Sequence, residues 1–452
     1  MTTIPAQGTT AQGTTAQGLP LTVNSTQAAG AFDHLVEGFL KYRFDAPLRL
    51  KALLALDPDA PMAHVLKGSF AMLAYKAAAV PAAIAAADRA ATLSANPREI
   101  RHIAALRAWA AQDMEAALAI WEGIVADHPT DLVAFRFHHF AAFWMGQAPR
   151  MRDVAERAFA RWDPATPGHG NMLSCRAFAA EECGDYATAE QSGRAAVAMD
   201  PADLWAIHAV AHTLEMQGRR HEGVAWVDGL RPHFAGTNNI QHHVLWHQAM
   251  YHLELGDHAA VLRLYDEGFR DLNSPVTQMQ DDLYIDCQNA ASMLWRLARQ
   301  GVDVGDRWVE LADKAQARIG DTLSTFTLPH WMMALVATGR FEAGARMLDA
   351  MRGNAAGVLR DAALPVCEAI LRHGRGDAAG AVAVMRPALG GMYRLGGSHA
   401  QQDVLEQFFL AAARDAGDEG AQRLLLERVA GRHPVPPERR VGYAEAARTI
   451  RH

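Results

Sequence analysis

Two histidine pairs carry the chemistry that this chain suggests: His208 with His212, and His243 with His247. Residues four apart share one face of a helix, so each pair presents stacked imidazoles. Glu215 continues the first stripe; Tyr251 and Glu254 continue the second. Imidazole titrates near neutral pH, so beside carboxylates it can serve as general acid and base. Two such pairs from neighbouring helices also supply four ligands, enough for zinc or another divalent ion that favours imidazole. The segment HAVAH is not the metalloprotease HExxH, because Ala209 stands where that motif carries its general base. Glu215 lies about 10 Å of helix rise from His208, too far to share one ion with it. A third reading needs no ligand: the imidazoles are polar groups satisfied between packed helices.

The elements that must position these residues are helices throughout. Alanine, leucine and arginine are frequent and period-two β-branched runs are scarce. Gly184-Asp185-Tyr186, followed by Ala189, Ala196 and Pro201, has the spacing of a tetratricopeptide unit. The same break recurs at Gln112-Asp113, Gly146, Gly218, Gly256, Gly339 and Gly376. Gly218 stands 34 residues after Gly184, and Gly256 stands 38 after Gly218. The fold class is therefore all-α, an α-α superhelix of tetratricopeptide-like hairpins, each repeat's apolar face packing on its neighbours. Residues 1–25, with their AQGTT units, read as a disordered low-complexity tail; residues 26–432 form the superhelix, and 433–452 a Pro-rich turn with a C-terminal helix or tail. Residues 28–42 predict the first amphipathic helix. Ser398 with Gln401 predicts a capping box opening a late one.

In this repeat grammar Ile207, Val210, Ala211 and Leu214 are packing positions, which leaves His208, His212 and Glu215 on the inner binding surface. His243 and His247, with Trp246 beside them, fall on the next first helix, roughly 8–10 Å away. Asp282 and Asp286 on a following helix extend the wall. So does His330, near a helix start whose dipole favours neutral imidazole. His138-His139 reads as a structural pair, and His102, His128, His221, His233, His258 and His373 as surface or loop residues.

Composition narrows the classes. The formal net charge of -7 argues against a nucleic-acid surface. No apolar run reaches a membrane span. Four cysteines without CxxC spacing suit small buried hydrophobes in a reducing cytosol, which places the chain in the cytoplasm. Association into a homo-oligomer is compatible with all of this.

The motifs HAVAHTLEMQGRRHEG, NNIQHHVLWHQAMYHLELGD and GGSHAQQD resemble tetratricopeptide repeat protein 38 and its bacterial relatives over most of the chain. The matched positions are His212, Glu215, Gly218 and Glu222, then His243, Trp246, His247, His252 and Glu254. In the third motif Gln402 stands where arginine is expected. The resemblance implies an all-helical repeat fold and brings no reaction with it. The sequence thus predicts an inner-face pocket in which His208, His212, Glu215, His243 and His247 act, with Trp246, Tyr251, Asp286, His330 and His399 as substrate contacts. The four histidines are its candidate metal ligands. The occupant is a small molecule, handled by acid–base or metal-assisted chemistry of hydrolase or lyase type, or alternatively a peptide held in the concave groove of a non-enzymatic scaffold.

Overall fold

The computed structural model describes residues 12–450. From Thr26 onward the chain runs as successive antiparallel helical hairpins. Pairs such as His169–Glu182 with Tyr186–Met199, and Leu204–Met216 with Arg220–Leu230, repeat the same design. The turn inside each hairpin is the break read from the sequence. Gly146, Gly184, Gly218, Gly256, Gly339 and Gly376 all have positive φ, and so does Gln112 at 64°. An aspartate then caps many of the second helices: Asp185 accepts from the Thr188 amide at 3.1 Å and Asp257 from the Ala260 amide at 3.1 Å. Gly301 and Gly417 mark two further breaks at positive φ that the repeat spacing did not pick out.

The two helices of a hairpin differ in burial, and the difference places the site. Arg220–Leu230 buries only Gly223 and Val227, whereas every residue of Leu204–Met216 except Glu215 is buried. Second helices form the outer, amphipathic layer. In the central repeats the first helices Leu204–Met216 and Ile240–Glu254 pack on one another and are enclosed on nearly all sides. The inner face is therefore not an open wall: His208 and His212 are as deeply buried as the packing residues beside them. Curvature closes it. The array coils until late elements meet early ones: the Arg318 guanidinium donates to the Tyr75 carbonyl at 3.0 Å, and Lys76 pairs with Asp282. At Gly396, where φ is 84°, a Cβ would stand 2.3 Å from the Trp144 carbonyl oxygen, so only glycine permits that approach. Helix His399–Asp415, opened by the expected Ser398–Gln401 capping box, then runs through the interior with nearly all its length buried.

The described residues near both ends are tied to the body of the fold. Residues 1–11 of the predicted disordered segment lie outside the described residues. Within that segment Gln12–Thr14 pairs antiparallel with Pro20–Thr22, which corrects the expectation there. Low complexity did not prevent order because Leu21 and Val23 are buried, the Thr22 amide donates to Glu99 at 2.8 Å, and Arg98 holds the Pro20 carbonyl at 2.7 Å. The first helix spans Thr26–Leu40. At the other end, residues 433–443 fold back, with the Val441 amide donating to Glu254 and Tyr443 fully buried. The short helix Ala444–Ile450 follows.

Candidate metal and ligand site

Helices Leu204–Met216 and Ile240–Glu254 lie side by side on the inner layer, and their histidines meet. The His208 ring centroid is 4.4 Å from that of His212, 4.8 Å from His243 and 5.1 Å from His247. His212 and His247 are 4.2 Å apart, His243 and His247 4.9 Å. One nitrogen from each of the four rings lies within 4.8 Å of the other three. Nε2 of His208 and Nε2 of His212 face each other at 2.9 Å, a contact that a proton or a cation can bridge.

The outward nitrogens meet polar groups on surrounding helices. His247 Nδ1 lies 2.7 Å from the Glu215 carboxyl, which leaves Nε2 for the centre, where it has no protein partner. His243 Nδ1 meets the Asn289 carboxamide at 3.0 Å. The two ends of a carboxamide are isosteric, and Asn289 Oδ1 is otherwise buried without a partner. With that oxygen as acceptor, Nδ1–H donates and Nε2 keeps its lone pair for the interior. His212 Nδ1 faces Glu181 at 3.6 Å. This is the arrangement that orients imidazole ligands and raises their basicity.

Electrostatics keep the lone pairs free. Burial holds His247 down to about 3. Burial first, and then the neighbouring imidazoles, hold His208, His212 and His243 well below the ordinary histidine range. Burial also pushes the Glu215 carboxyl up to about 8, against the pull of Arg296 and other guanidiniums. The His247–Glu215 contact is therefore a hydrogen bond between neutral groups in the protein alone. A bound cation reverses that preference, since it favours the carboxylate.

A cavity of about 250 Å³ opens against three of these rings. His208, His212 and His243 stand in its wall, and Tyr42, Phe140, Phe143, Trp144, Trp205 and Tyr284 make much of the rest. Behind it lies Arg136, buried, donating to the Tyr42 hydroxyl, with its guanidinium 4.5 Å from the Trp205 ring centroid. The arrangement is an aromatic pocket with three imidazole rings in its wall. It can bind an apolar or planar molecule and present one polar atom to the centre.

The other residues singled out from the sequence have different places. Trp246 is fully buried and stacks on His243 at 5.4 Å between centroids, backing the ring from outside the cavity. The Tyr251 hydroxyl donates to the Ala211 carbonyl at 2.6 Å and ties the two helices together. Asp286 binds His242 Nδ1 at 2.9 Å, beside the cluster and not in it. Asp282 is taken up by Lys76 and Arg318. His330 Nδ1 meets the Phe326 carbonyl at 2.9 Å, and burial is what pushes it down to about 4, not a helix dipole; it does not join the four. His399 lies 3.8 Å from Glu182, on the far side of the cluster from the cavity wall. Helix distance kept Glu215 from sharing an ion with His208, and in the fold it supports His247 instead. Among the structural readings, His138 and His139 are buried as expected, while His102 is not a surface residue: it is buried and meets Asp131 at 2.9 Å.

Glu181, Glu182, Asn289 and the aromatic wall were not read from the sequence. One signal was available. Glu181 stands 34 residues before Glu215, the same spacing as Gly184 to Gly218, so both carboxyls occupy one register of the repeat.

No family model matches the chain. Solved structures with similar folds include yeast Tom70, 11% identical, covering 94% of this chain and 95% of that one at a TM-score of 0.38. The Naa15/Naa10 complex bound to HypK-THB is 13% identical, with 90% and 68% covered and a TM-score of 0.26. The TPR domain of P58(IPK) is 13% identical, with 87% and 99% covered and a TM-score of 0.20. Likenesses this remote carry nothing about the site. Among the described residues no helix is long and apolar enough to cross a membrane.

Proposed function

We propose that this helical-repeat protein is a metal-dependent small-molecule protein. His208, His212, His243 and His247 hold a divalent transition ion, and the adjoining aromatic cavity holds an organic ligand. The observation that carries the reading is the convergence of four neutral imidazole nitrogens within 4.8 Å, with supporting groups behind three of the rings. Burying four imidazoles together, with His208 Nδ1, His212 Nδ1 and His247 Nε2 left without hydrogen-bond partners, is costly. A shared cation offsets that cost for all four at once.

Coordination number separates two roles. A tetrahedral zinc ion would be saturated by four imidazoles and would be structural. An ion that takes five or six ligands keeps positions open, and the cavity wall formed by His208, His212 and His243 is where they would face. The second case supports acid–base or Lewis-acid chemistry of hydrolase or lyase type, with Glu215 holding His247 in the ligating tautomer. Substrate contacts then come from Tyr42, Trp144, Trp205 and Tyr284 in place of Tyr251, Asp286 and His330. A peptide scaffold is less well supported, because histidines at 0–3% exposure cannot line an open trough. We also read the chain as a relative of tetratricopeptide repeat protein 38 on the motifs around these histidines. That kinship adds no reaction.

The test is elemental analysis of protein purified without chelator, beside the His212→Ala/His247→Ala double variant. Wild type is expected to carry one ion or more per chain. The double variant should lose the ion bound by the four imidazoles while keeping its helix content. A wild-type protein free of metal, and unable to take up Zn²⁺, Fe²⁺ or Cu²⁺, would sink the proposal.

A further inference from the structure

His212 has a second nitrogen that the four-imidazole centre does not use. Its Nδ1 is buried, has no hydrogen-bond partner, and faces Glu181 Oε2 at 3.6 Å. Glu181 is 1% exposed, and neither of its oxygens meets a donor. Glu182, the next residue, is also buried, with Oε1 unpartnered. One atom from each of the three residues lies within 4.8 Å of the other two. Two adjacent carboxyls and an imidazole nitrogen are enclosed together; burial raises both carboxyls, which hydrogen-bond each other. The cluster must be neutralised by protons or by a positive ion. His399, with a side chain 29% exposed, stands 3.8 Å from Glu182 Oε2 at the solvent side and can complete a four-ligand set.

We propose that Glu181, Glu182 and His212 Nδ1 form a second divalent-cation site, so that the His212 ring bridges two ions. The inference rests on the four-imidazole reading above and deepens it: the centre becomes dinuclear. The donor set of two carboxylates and imidazole suits Zn²⁺, Mn²⁺, Fe²⁺ or Cu²⁺. Bridging requires the ring as imidazolate, so binding of the second ion releases to solvent the Nδ1 proton together with the protons that neutralise Glu181 and Glu182. The first ion's approach is the aromatic cavity, in whose wall His208, His212 and His243 stand. Glu181 sits on helix His169–Glu182, one repeat before the helix that carries His212. The bridge therefore spans three consecutive inner helices.

The experiment uses full-length protein, stripped with chelator, dialysed, and reloaded with Cu²⁺ alone. Wild type should take two copper ions per chain. Its electron paramagnetic resonance should integrate to much less than two spins, because an imidazolate bridge couples the pair antiferromagnetically. The variant Glu181→Gln/Glu182→Gln keeps side-chain volume; it should take one ion and show one full, uncoupled spin. One ion in both proteins would overturn the second site, leave the four-imidazole centre standing, and make Glu181 a support for the His212 ring. Two ions in both proteins would place the second elsewhere and also overturn it. No ion in either would overturn both readings. Should the variant fail to fold by circular dichroism, the wild-type spectrum alone decides: two uncoupled spins refute the bridge.

Discussion

Two buried polar clusters lie close together in the interior, and they are built on opposite principles. Around Asp403 every carboxylate oxygen is used. Oδ1 accepts from Arg440 at 2.5 Å and from the Tyr443 hydroxyl at 2.6 Å; Oδ2 accepts from Gln407 at 2.7 Å and from Arg296 at 3.5 Å. The four donors come from three parts of the chain and lock the C-terminal segment against helices Tyr284–Arg299 and His399–Asp415. Around His212 the reverse holds: His208 Nδ1, His212 Nδ1 and His247 Nε2 are buried without partners, and neither Glu181 oxygen accepts from a donor. A buried carboxylate with both oxygens bonded explains itself as architecture. An unsatisfied cluster, equally buried and a few residues away, asks for a ligand.

The contrast breaks most readily at Asp403. Asp403→Ala leaves Arg296 and Arg440 buried without a counter-charge, and unfolding stability in denaturant should fall by about 3–5 kcal/mol. A change within a few tenths would mean that the lock holds nothing. At the histidines, stripping should act as substitution does at Asp403. With free metal a thousandfold above its dissociation constant, chelation is expected to cost about 4 kcal/mol of stability, read as a drop in Tm. The same treatment should leave His212→Ala/His247→Ala unmoved by that amount. Equal melting of wild type with and without chelator would make the two clusters alike after all.

The smallest expected effect is in acid. Burial alone would raise the Asp403 carboxyl; Arg440 and Arg296 overcome it and hold it at about 2, below its ordinary 3.8. A depressed native pKa gives stability that is full above about pH 4 and is lost as pH falls toward 2. The shift corresponds to about 2 kcal/mol. The stability gap between wild type and Asp403→Asn should be flat from pH 7 to about 4 and narrow below. A gap that does not narrow would assign the effect to packing and not to charge.

Much of this was legible locally. Glycines with positive φ spaced 34 to 38 residues apart from Gly146 to Gly256, an aspartate cap after several of them and four-residue histidine spacing are short-range facts, and turn geometry and helix periodicity read them directly. Which imidazoles share a face is local in the same sense. Burial was not legible in that way. The inner face is filled because helix His399–Asp415 and the residues after 433 return to it from 150 or more residues beyond His247. Hydrophobic spacing says which face packs, and nothing about how far the superhelix curls.

By itself, then, the chain determined the hairpins, the register of the repeats, and the fact that His208, His212, His243 and His247 lie on consecutive inner helices. Only the tertiary structure decided that Asn289 supports His243, that Glu181 meets the free nitrogen of His212, and that aromatic rings from five helices and the loop at Tyr42 close a cavity over the cluster. The physical reason is range. Backbone geometry propagates a pattern over a turn or a repeat, while contacts between distant repeats depend on small packing angles accumulated along the whole array.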